Sequence, residues 1–274
     1  MFMDARKLTS LDVSNWDTHS LQDATQMFIN DIGLTSLDVS NWDTSSLTST
    51  WNMFYDMLNL KTLDVSKWDT GNLQTAQNMF YWAASLENLD TSNWDTHSLT
   101  NVAGMFVNNQ SMTSQDLSKW DTSKITTMKW LFFGDTALKT LNLANFNMRG
   151  ASDQNIVCSG DTALQTLTLG ADAVLQSSTV SAALPAVPSN ASYTGLWVNT
   201  EGQTFTSAEL MALYAADSTT AVADTYTWQI NQSSLVVKDL TIMDTPSNTL
   251  QAGEKFVSAT DNDGQPLTLA DLVV

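Results

Sequence analysis

Residues 34–47 read Leu-Thr-Ser-Leu-Asp-Val-Ser-Asn-Trp-Asp-Thr-Ser-Ser-Leu, and close versions of this stretch return every 26 residues along the first part of the chain. The clearest marker of the repeat is an aromatic residue, found at Trp16, Trp42, Trp68, Trp94, Trp120 and Phe146. A fixed period of this length indicates stacked units, because one short unit cannot bury its apolar face alone. Each repeat position therefore defines a column of residues.

Two apolar patterns occur in each repeat. In the quoted copy, Leu37 and Val39 are apolar at alternate positions, which indicates a strand. The segment after the tryptophan has apolar residues at the spacing of one helix face, in the first copy at Leu21, Ala24, Met27 and Phe28. The Asp-Thr pair between the two patterns is suited to cap a helix, because its side-chain oxygens can accept from first-turn amides. The predicted fold is α/β, a right-handed leucine-rich-repeat solenoid of about seven 26-residue turns over residues 1–170.

The quoted unit, closed by a Met-Phe pair such as Met27-Phe28, resembles the BspA-type leucine-rich repeats of bacterial surface proteins, especially those of Gram-positive bacteria such as lactic-acid bacteria. The resemblance covers residues 1–170. It implies a secreted adhesin, anchored in the cell wall of a Gram-positive bacterium, that contacts host glycans, mucin or extracellular-matrix protein. The alternative is a structural spacer that has no ligand of its own.

The repeat pattern weakens toward residue 170. Met-Phe becomes Leu131-Phe132 and then Val157-Cys158. Such decay is typical of a terminal, capping repeat. Cys158 is the one cysteine of the chain, which excludes an intrachain disulfide, and we interpret it as a small core residue in place of phenylalanine.

Beyond residue 170 the period is lost. Residues 171–232 are predicted to hold a cap, a linker and a small strand-helix-strand module, with strands after Gly195 and over 224–230. Thr206 and Glu209 form a capping box ahead of the module's helix. The module resembles the Thr-Tyr-Thr-Trp unit that follows BspA-type repeats.

Residues 233–274 resemble the first half of a bacterial immunoglobulin-like domain of cell-wall stalks. They are predicted to form a partial Ig-like β domain. The sequence Asp261-Asn-Asp-Gly within it is interpreted as a turn, because Pro266 stands where a calcium loop requires glycine.

Composition narrows the possible partners. The 274 residues carry a formal net charge of −18 and only 11 basic side chains, so nucleic acid is not an expected partner. No stretch approaches the roughly 18 consecutive apolar residues of a membrane span, so membrane insertion is not expected. Because Met1-Phe2 stands 26 residues before Met27-Phe28, we expect a fragment from which the export signal and the wall anchor are absent.

The outward strand position forms an acidic column, with Asp12, Asp38, Asp64, Asp90 and Asp116 as its members. Carboxylates in adjacent turns, about 4.8 Å apart, repel by about 1 kcal/mol in water. Flanking serines could compensate the charge internally, or a cation or ligand could do so. Asp38, Asp64 and Asp90 are candidate ligands of Ca²⁺, because this ion favours several hard oxygens.

Large aromatic residues outside the repeat pattern are the second group of candidates, namely Trp51, Tyr55, Tyr81, Trp82, Trp130 and Phe133. Trp82 aligns with Asn30, Asp56 and Asn108 in other repeats, so the fold does not require an aromatic ring there. Exposed aromatics beside hydroxyl-rich loops are suited to glycan or protein contact. The alternative is that they fill local gaps on the return-loop face.

Catalysis has little support in the sequence. His19 and His97 occupy the same repeat position three turns apart, about 14 Å at strand spacing, so they cannot share a proton or a metal. No metal-ligand cluster, phosphate loop or nucleophile motif is present in the sequence. We therefore expect a non-catalytic protein without a cofactor, apart from the possible Ca²⁺.

Overall fold

The computed structural model describes residues 2–151, 158–177 and 181–231. Its elements, in chain order, are β1 Ser114–Asp116, β2 Thr140–Leu143, β3 Thr166–Leu169, β4 Tyr193–Val198, β5 Thr204–Phe205, α1 Ser207–Leu213 and β6 Asp224–Ile230. The six strands form one sheet in the order β1-β2-β3-β6-β4-β5. The sheet is mixed, because β1 to β3 are parallel whereas β4, β5 and β6 pair antiparallel.

Consecutive repeats lie on one another in parallel register. Gln115 of β1 is opposite Leu141 of β2, which is opposite Leu167 of β3. In earlier repeats this line of pairing is reduced to isolated bridges such as that between Ser36 and Thr62. A second line of parallel bridges runs along the opposite part of the repeats and joins Asp23, Ser49, Thr75, Asn101 and Thr127.

The predicted fold, an α/β leucine-rich-repeat solenoid with a helix or helical turn in each repeat, is wrong. Within the described ranges the regular secondary structure consists of six β-strands and a single helix, α1, and no repeat contains a helix. In the first copy, the amides expected to be helical bond to the next repeat: those of Ala24, Gln26 and Phe28 donate to the carbonyls of Ser49, Trp51 and Met53 at 2.9, 2.9 and 3.0 Å. These donors are consequently not available to carbonyls four residues back, which an α-helix requires.

Backbone conformation gives the second reason for the missing helix. Gln26 and Asn30 have φ of 57° and 62°, in the left-handed region that a right-handed helix excludes. The apolar spacing that resembled a helix face instead comes from a sharply turned segment that points several side chains into the core. Met27, Phe28 and Ala24 are all buried there.

Two columns of stacked rings form the centre of the core. The ring centroids of Trp42, Trp68, Trp94, Trp120 and Phe146 follow one another at 6.4, 6.3, 6.2 and 6.3 Å. Beside them run Phe28, Phe54, Phe80, Phe106 and Phe132, at 5.7, 5.8, 6.1 and 5.3 Å. The tryptophan column lies in the core from Trp42 onward, whereas Trp16 at the first repeat is only partly buried.

The module after the repeats continues the same sheet. β6 pairs antiparallel with β3, with Tyr226 opposite Leu167, so the last repeat's strand has a partner on both sides. The predicted strand after Gly195, the capping box of Thr206 and Glu209, and the strand over 224–230 are confirmed by β4, α1 and β6. The predicted domain boundaries stay predictions, and the partial Ig-like domain at 233–274 lies outside the described residues.

Candidate binding surface

The acidic column lies on the exposed side of the strand positions, and each carboxylate has a partner in its own repeat. Asp38 accepts from the backbone N–H of Ser40 at 3.1 Å and from its hydroxyl at 2.7 Å. Asp64 accepts the same two bonds from Ser66 at 3.0 and 2.7 Å. The first and last members of the column, Asp12 and Asp116, accept from the serines two residues ahead of them.

These bonds stabilise the charged form of the column. The hydroxyl and amide of Ser66 lower the pKa of Asp64, and those of Ser92 lower the pKa of Asp90. The negative charge of Asp64 acts against this at Asp90, which is the repulsion expected along the column. Hydrogen bonds from the serines therefore offset part of the repulsion between the carboxylates of adjacent repeats.

The predicted Ca²⁺ ligands Asp38, Asp64 and Asp90 lie in three successive repeats. Each carboxylate accepts a hydrogen bond from the backbone N–H of the serine two residues ahead of it. Across the described residues, no three side chains of His, Cys, Asp or Glu are grouped closely enough to hold a metal ion. A calcium titration separates the two alternatives for this column, compensation by the serines or by a bound cation.

The second acidic column, Asp17, Asp43, Asp69, Asp95 and Asp121, does not cap helices as predicted, because no helix follows it. Each member instead closes a turn by accepting the amide two residues ahead, as in the bond from Gly71 to Asp69 at 3.1 Å. His19 and His97 bond to Asp17 and Asp95 of their own turns at 2.6 and 2.7 Å. The predicted separation of the two histidines is confirmed, and both side chains are exposed.

The threonine that follows each of these aspartates is buried and bonds to the next repeat. The hydroxyls of Thr44, Thr70 and Thr96 donate to the backbone carbonyls of Asp69, Asp95 and Asp121 at 2.9, 2.9 and 3.1 Å. The Asp-Thr pair thus joins a turn within one repeat to the backbone of the next.

The structure brings three of the six candidate aromatics together. The rings of Tyr55 and Tyr81 are stacked, with centroids 4.7 Å apart and planes 8° from parallel. The Trp82 ring lies 6.3 Å from that of Tyr81, tilted by 58°. Both tyrosines are half-buried, while Trp82 is 43% exposed.

The other three aromatics are exposed but occupy different places. Phe133 shares the repeat position of Tyr55 and Tyr81 but is separated from Tyr81 by the repeat that holds Val107. Trp51 and Trp130 lie at neighbouring positions near the start of the turned segment, three repeats apart. The amine of Lys129 lies 4.6 Å from the centroid of the Trp130 ring, a cation–π contact.

Two of the exposed tryptophans have a strained backbone. Trp82 has φ of 59°, at a repeat position that holds Asp4, Asn30, Asp56, Asn108, Gly134 and Gly160 elsewhere, all with positive φ. Trp130 has φ of 55°, at a position that otherwise holds Gln26, Asn52, Asn78 and Gly104. Left-handed backbone at a bulky residue costs on the order of 1–3 kcal/mol. Because both side chains are more than two-fifths exposed, core burial does not fully offset this strain.

A carboxylate stands beside the tyrosine pair. Asp56 precedes Trp82 by one repeat at the same repeat position, and its backbone N–H donates to the carbonyl of Tyr81 at 2.7 Å. Oδ1 of Asp56 is buried, and no hydrogen-bond partner for it is found within the described part of the chain. Desolvation raises the pKa of Asp56. The sequence did not single out this residue, although its neighbours Tyr55 and Tyr81 were candidates.

The sequence reasoning also missed a column of buried acids. Asp31, Asp135 and Asp161 share one repeat position with Asn109 and are at most 1% exposed. Burial raises the pKa of all three carboxyls, that of Asp161 to about 7. Cys158 is buried next to Asp161, which confirms its predicted core position. The available signal was aspartate at one repeat position in three repeats, where Met57 and Ala83 stand in two others.

No helix within the described ranges combines the length and apolar content that crossing a membrane would require. The family model described as Mycoplasma protein of unknown function, DUF285, matches residues 1–114 and, in a second match, residues 84–168. The two matches together cover more than half of the chain and fit loosely with the resemblance to BspA-type surface proteins. No curated protein and no solved structure matches the chain.

Proposed function

The chain belongs to the family described as Mycoplasma protein of unknown function, DUF285, and on that premise we propose that it is a non-catalytic adhesion protein. We place it outside the cell, anchored in the wall of a Gram-positive bacterium, with a host glycan, mucin or matrix protein as its ligand. The stacked repeats present columns of exposed side chains on a continuous core. Such a surface is suited to binding an extended ligand.

The strained, exposed tryptophans are the observation that carries the proposal. Trp82 and Trp130 stand where other repeats have small or polar residues that adopt positive φ at lower cost. Strain of this kind is concentrated at ligand-binding positions, where the side chain serves a contact outside the fold. Exposed tryptophan and tyrosine are also the side chains that contribute most to binding at protein surfaces.

The arrangement of titratable groups favours binding over catalysis. His19 and His97 each bond to the aspartate of their own turn, and the carboxylates of the outer column each bond to their own repeat. None of these contacts joins an acid, a base and a nucleophile at one place.

A binding panel tests the proposal. The full chain is applied to immobilised mucin, fibronectin, collagen and a glycan array, and the same panel is repeated in high salt. We expect saturable binding to at least one of these ligands. Binding no greater than that of an unrelated acidic protein to every surface would count against adhesion.

The second candidate function is that of a spacer without a ligand, and the continuous ring stacking of the core supports it. Ring stacking continues without a break from Trp16 to Phe146, which makes the repeats a stiff column suited to hold another module away from the cell. A spacer predicts no binding to the panel and no effect of surface aromatic substitutions on any ligand.

A further inference from the structure

We propose that Tyr55, Asp56, Tyr81, Trp82 and Asn108, here called the aromatic ledge, form a subsite for an uncharged pyranose ring of a glycan. This inference rests on the proposed adhesion function and names the ligand class of one part of its surface. It is carried by ring geometry, by an unpartnered polar atom, by backbone strain and by charge.

The aromatic rings provide the apolar part of the subsite. The parallel rings of Tyr55 and Tyr81 make a flat platform, and Trp82, tilted by 58° from Tyr81, forms an exposed wall beside it. A pyranose has an apolar face of C–H groups that packs flat on such a ring, while its hydroxyls extend outward from the ring edge. Tyrosine and tryptophan suit this contact because each combines a flat apolar body with a polar group.

Asp56 and Asn108 provide the polar part. They stand at the Trp82 position in the preceding and following repeats, where the backbones of adjacent repeats are about 4.8 Å apart. Oδ1 of Asp56 lacks a partner within the described residues. The Asp56 side chain is only half-buried, so a sugar hydroxyl can donate to its other carboxylate oxygen, and an adjacent hydroxyl can accept from an amide, because hydroxyls both donate and accept.

The strained backbone at Trp82 indicates that the indole serves a contact other than packing within the fold. Asn30 and Asn108 adopt φ of 62° and 60° at the same position, so asparagine meets the structural demand there. Tryptophan meets it less well, since bulky residues are rare in the left-handed region.

Net charge selects among glycans. The chain carries a formal charge of −18, and the carboxylates of its outer column are exposed. The resulting field repels sialylated and sulfated glycans. Neutral sugars are not repelled, and an aromatic platform with one carboxylate provides both stacking and hydrogen bonds for them.

Two matched variants of the full chain test the subsite. Trp82→Asn introduces the residue found in neighbouring repeats. Gln26→Asn is the matched control, because Gln26 also has a positive φ, of 57°, at a position that holds Asn52 and Asn78 in later repeats, and it is not part of the ledge. Both variants place asparagine at a left-handed position, which asparagine adopts more readily than most residues, so both are expected to have a melting temperature equal to or above that of the unmodified chain.

Binding distinguishes the two variants. The probes are neutral, sialylated and sulfated oligosaccharides on an array, followed by calorimetry with the neutral oligosaccharide that gives the highest signal. We expect neutral glycans to bind, Trp82→Asn to weaken binding at least about tenfold, as for a central aromatic contact, and Gln26→Asn to leave it unchanged. Asp56→Asn should also weaken binding without unfolding the chain.

The inference is overturned if no neutral glycan binds, if only sialylated or sulfated glycans bind, or if Trp82→Asn binds as well as the unmodified chain. If the chain binds mucin or matrix protein but Trp82→Asn and neutral sugars have no effect, the subsite is wrong and the adhesion function stands. If nothing in either panel binds, both are wrong.

Discussion

The backbone N–H of Asp135 donates to Oδ1 of Asp161 at 2.8 Å, across two adjacent repeats and inside the core. One repeat earlier, the N–H of Asn109 donates in the same way to Asp135 at 2.6 Å. The second oxygen of each of these two carboxyls is buried, and the described residues offer it no partner. Keeping both buried carboxylates charged would cost much free energy. The site therefore favours the protonated forms of Asp135 and Asp161.

This pair makes stability depend on pH. Burial raises the pKa of Asp161 from 3.8 to about 7, and burial together with the charge of Asp161 raises that of Asp135 well above its usual value. A folded-state pKa above the unfolded value means that the stabilisation is complete below about pH 4 and is lost progressively as the pH rises toward 7. From pH 5 to pH 7, the free energy of unfolding should fall by on the order of 2–3 kcal/mol through Asp161. Chemical denaturation at several pH values measures this.

Asp161→Asn is the matched control, because Asn109 shows that the position accepts asparagine and the amide oxygen can still accept the Asp135 N–H. The variant should be more stable than the unmodified chain at pH 8 and should show a flatter pH dependence between pH 5 and 7. Exposed carboxylates do not produce this slope, because serine bonds lower their pKa and move their titration below pH 4. An unchanged slope in Asp161→Asn would assign the effect to the other groups whose pKa is raised, namely Asp31, Asp135 and His19.

The core could be predicted from the sequence, but the secondary structure of the repeats could not. A 26-residue period places Trp42 and Trp68 in one column whatever the local backbone does, since only stacking buries them. The helix prediction failed because two backbone conformations produce the apolar spacing of Ala24, Met27 and Phe28. One is a helix face, and the other is a turn with left-handed residues that directs the same side chains into the core. Asparagine, aspartate and glycine at fixed positions, such as Asn52 and Gly104, were the signal for that turn.

The candidate surface could be predicted only in part. Comparison of repeats identified Trp82 as a residue that the fold does not require, and the structure adds the reason, a positive φ. The contribution of Asp56 could not be predicted, because its environment depends on Tyr55 and Tyr81 in two different repeats. Buried acids were missed because a lone polar residue in a repeat is ordinarily exposed.

Close approach of the backbone requires glycine at residue 170. A Cβ added there would lie against the carbonyl oxygen of Ala144 in the preceding repeat, so Gly170→Ala should destabilise the chain by about 1–3 kcal/mol through the forced backbone shift. Gly150→Ala is the control, because nothing lies within 4 Å of its added Cβ. Thermal melts of the two variants should differ clearly, and equal melting temperatures would contradict the close packing at residue 170.

Calcium should not stabilise the outer acidic column. The members of the column bond to the next hydroxyl or amide of their own repeat, as Asp64 does to Ser66, and a site of one carboxylate per repeat offers fewer oxygens than Ca²⁺ prefers. We therefore expect the melting temperature to be the same in millimolar Ca²⁺ and in chelator. A rise that grows with Ca²⁺ concentration, and that disappears in Asp64→Asn, would establish the alternative interpretation of this column.

Two buried tryptophans differ in one hydrogen bond, and the difference should be measurable. The indole N–H of Trp68 donates to the carbonyl of Val39 at 3.2 Å, whereas that of Trp120 is buried with no partner in the described structure. Both rings are stacked on each side at 6.2 to 6.4 Å, and Phe146 shows that the column accepts phenylalanine. Trp68→Phe loses a satisfied bond, while Trp120→Phe removes an unsatisfied donor, so the first should cost about 2 kcal/mol more than the second. Urea denaturation of the two variants measures the difference, and equal costs would mean that ring volume alone sets the stability of the column.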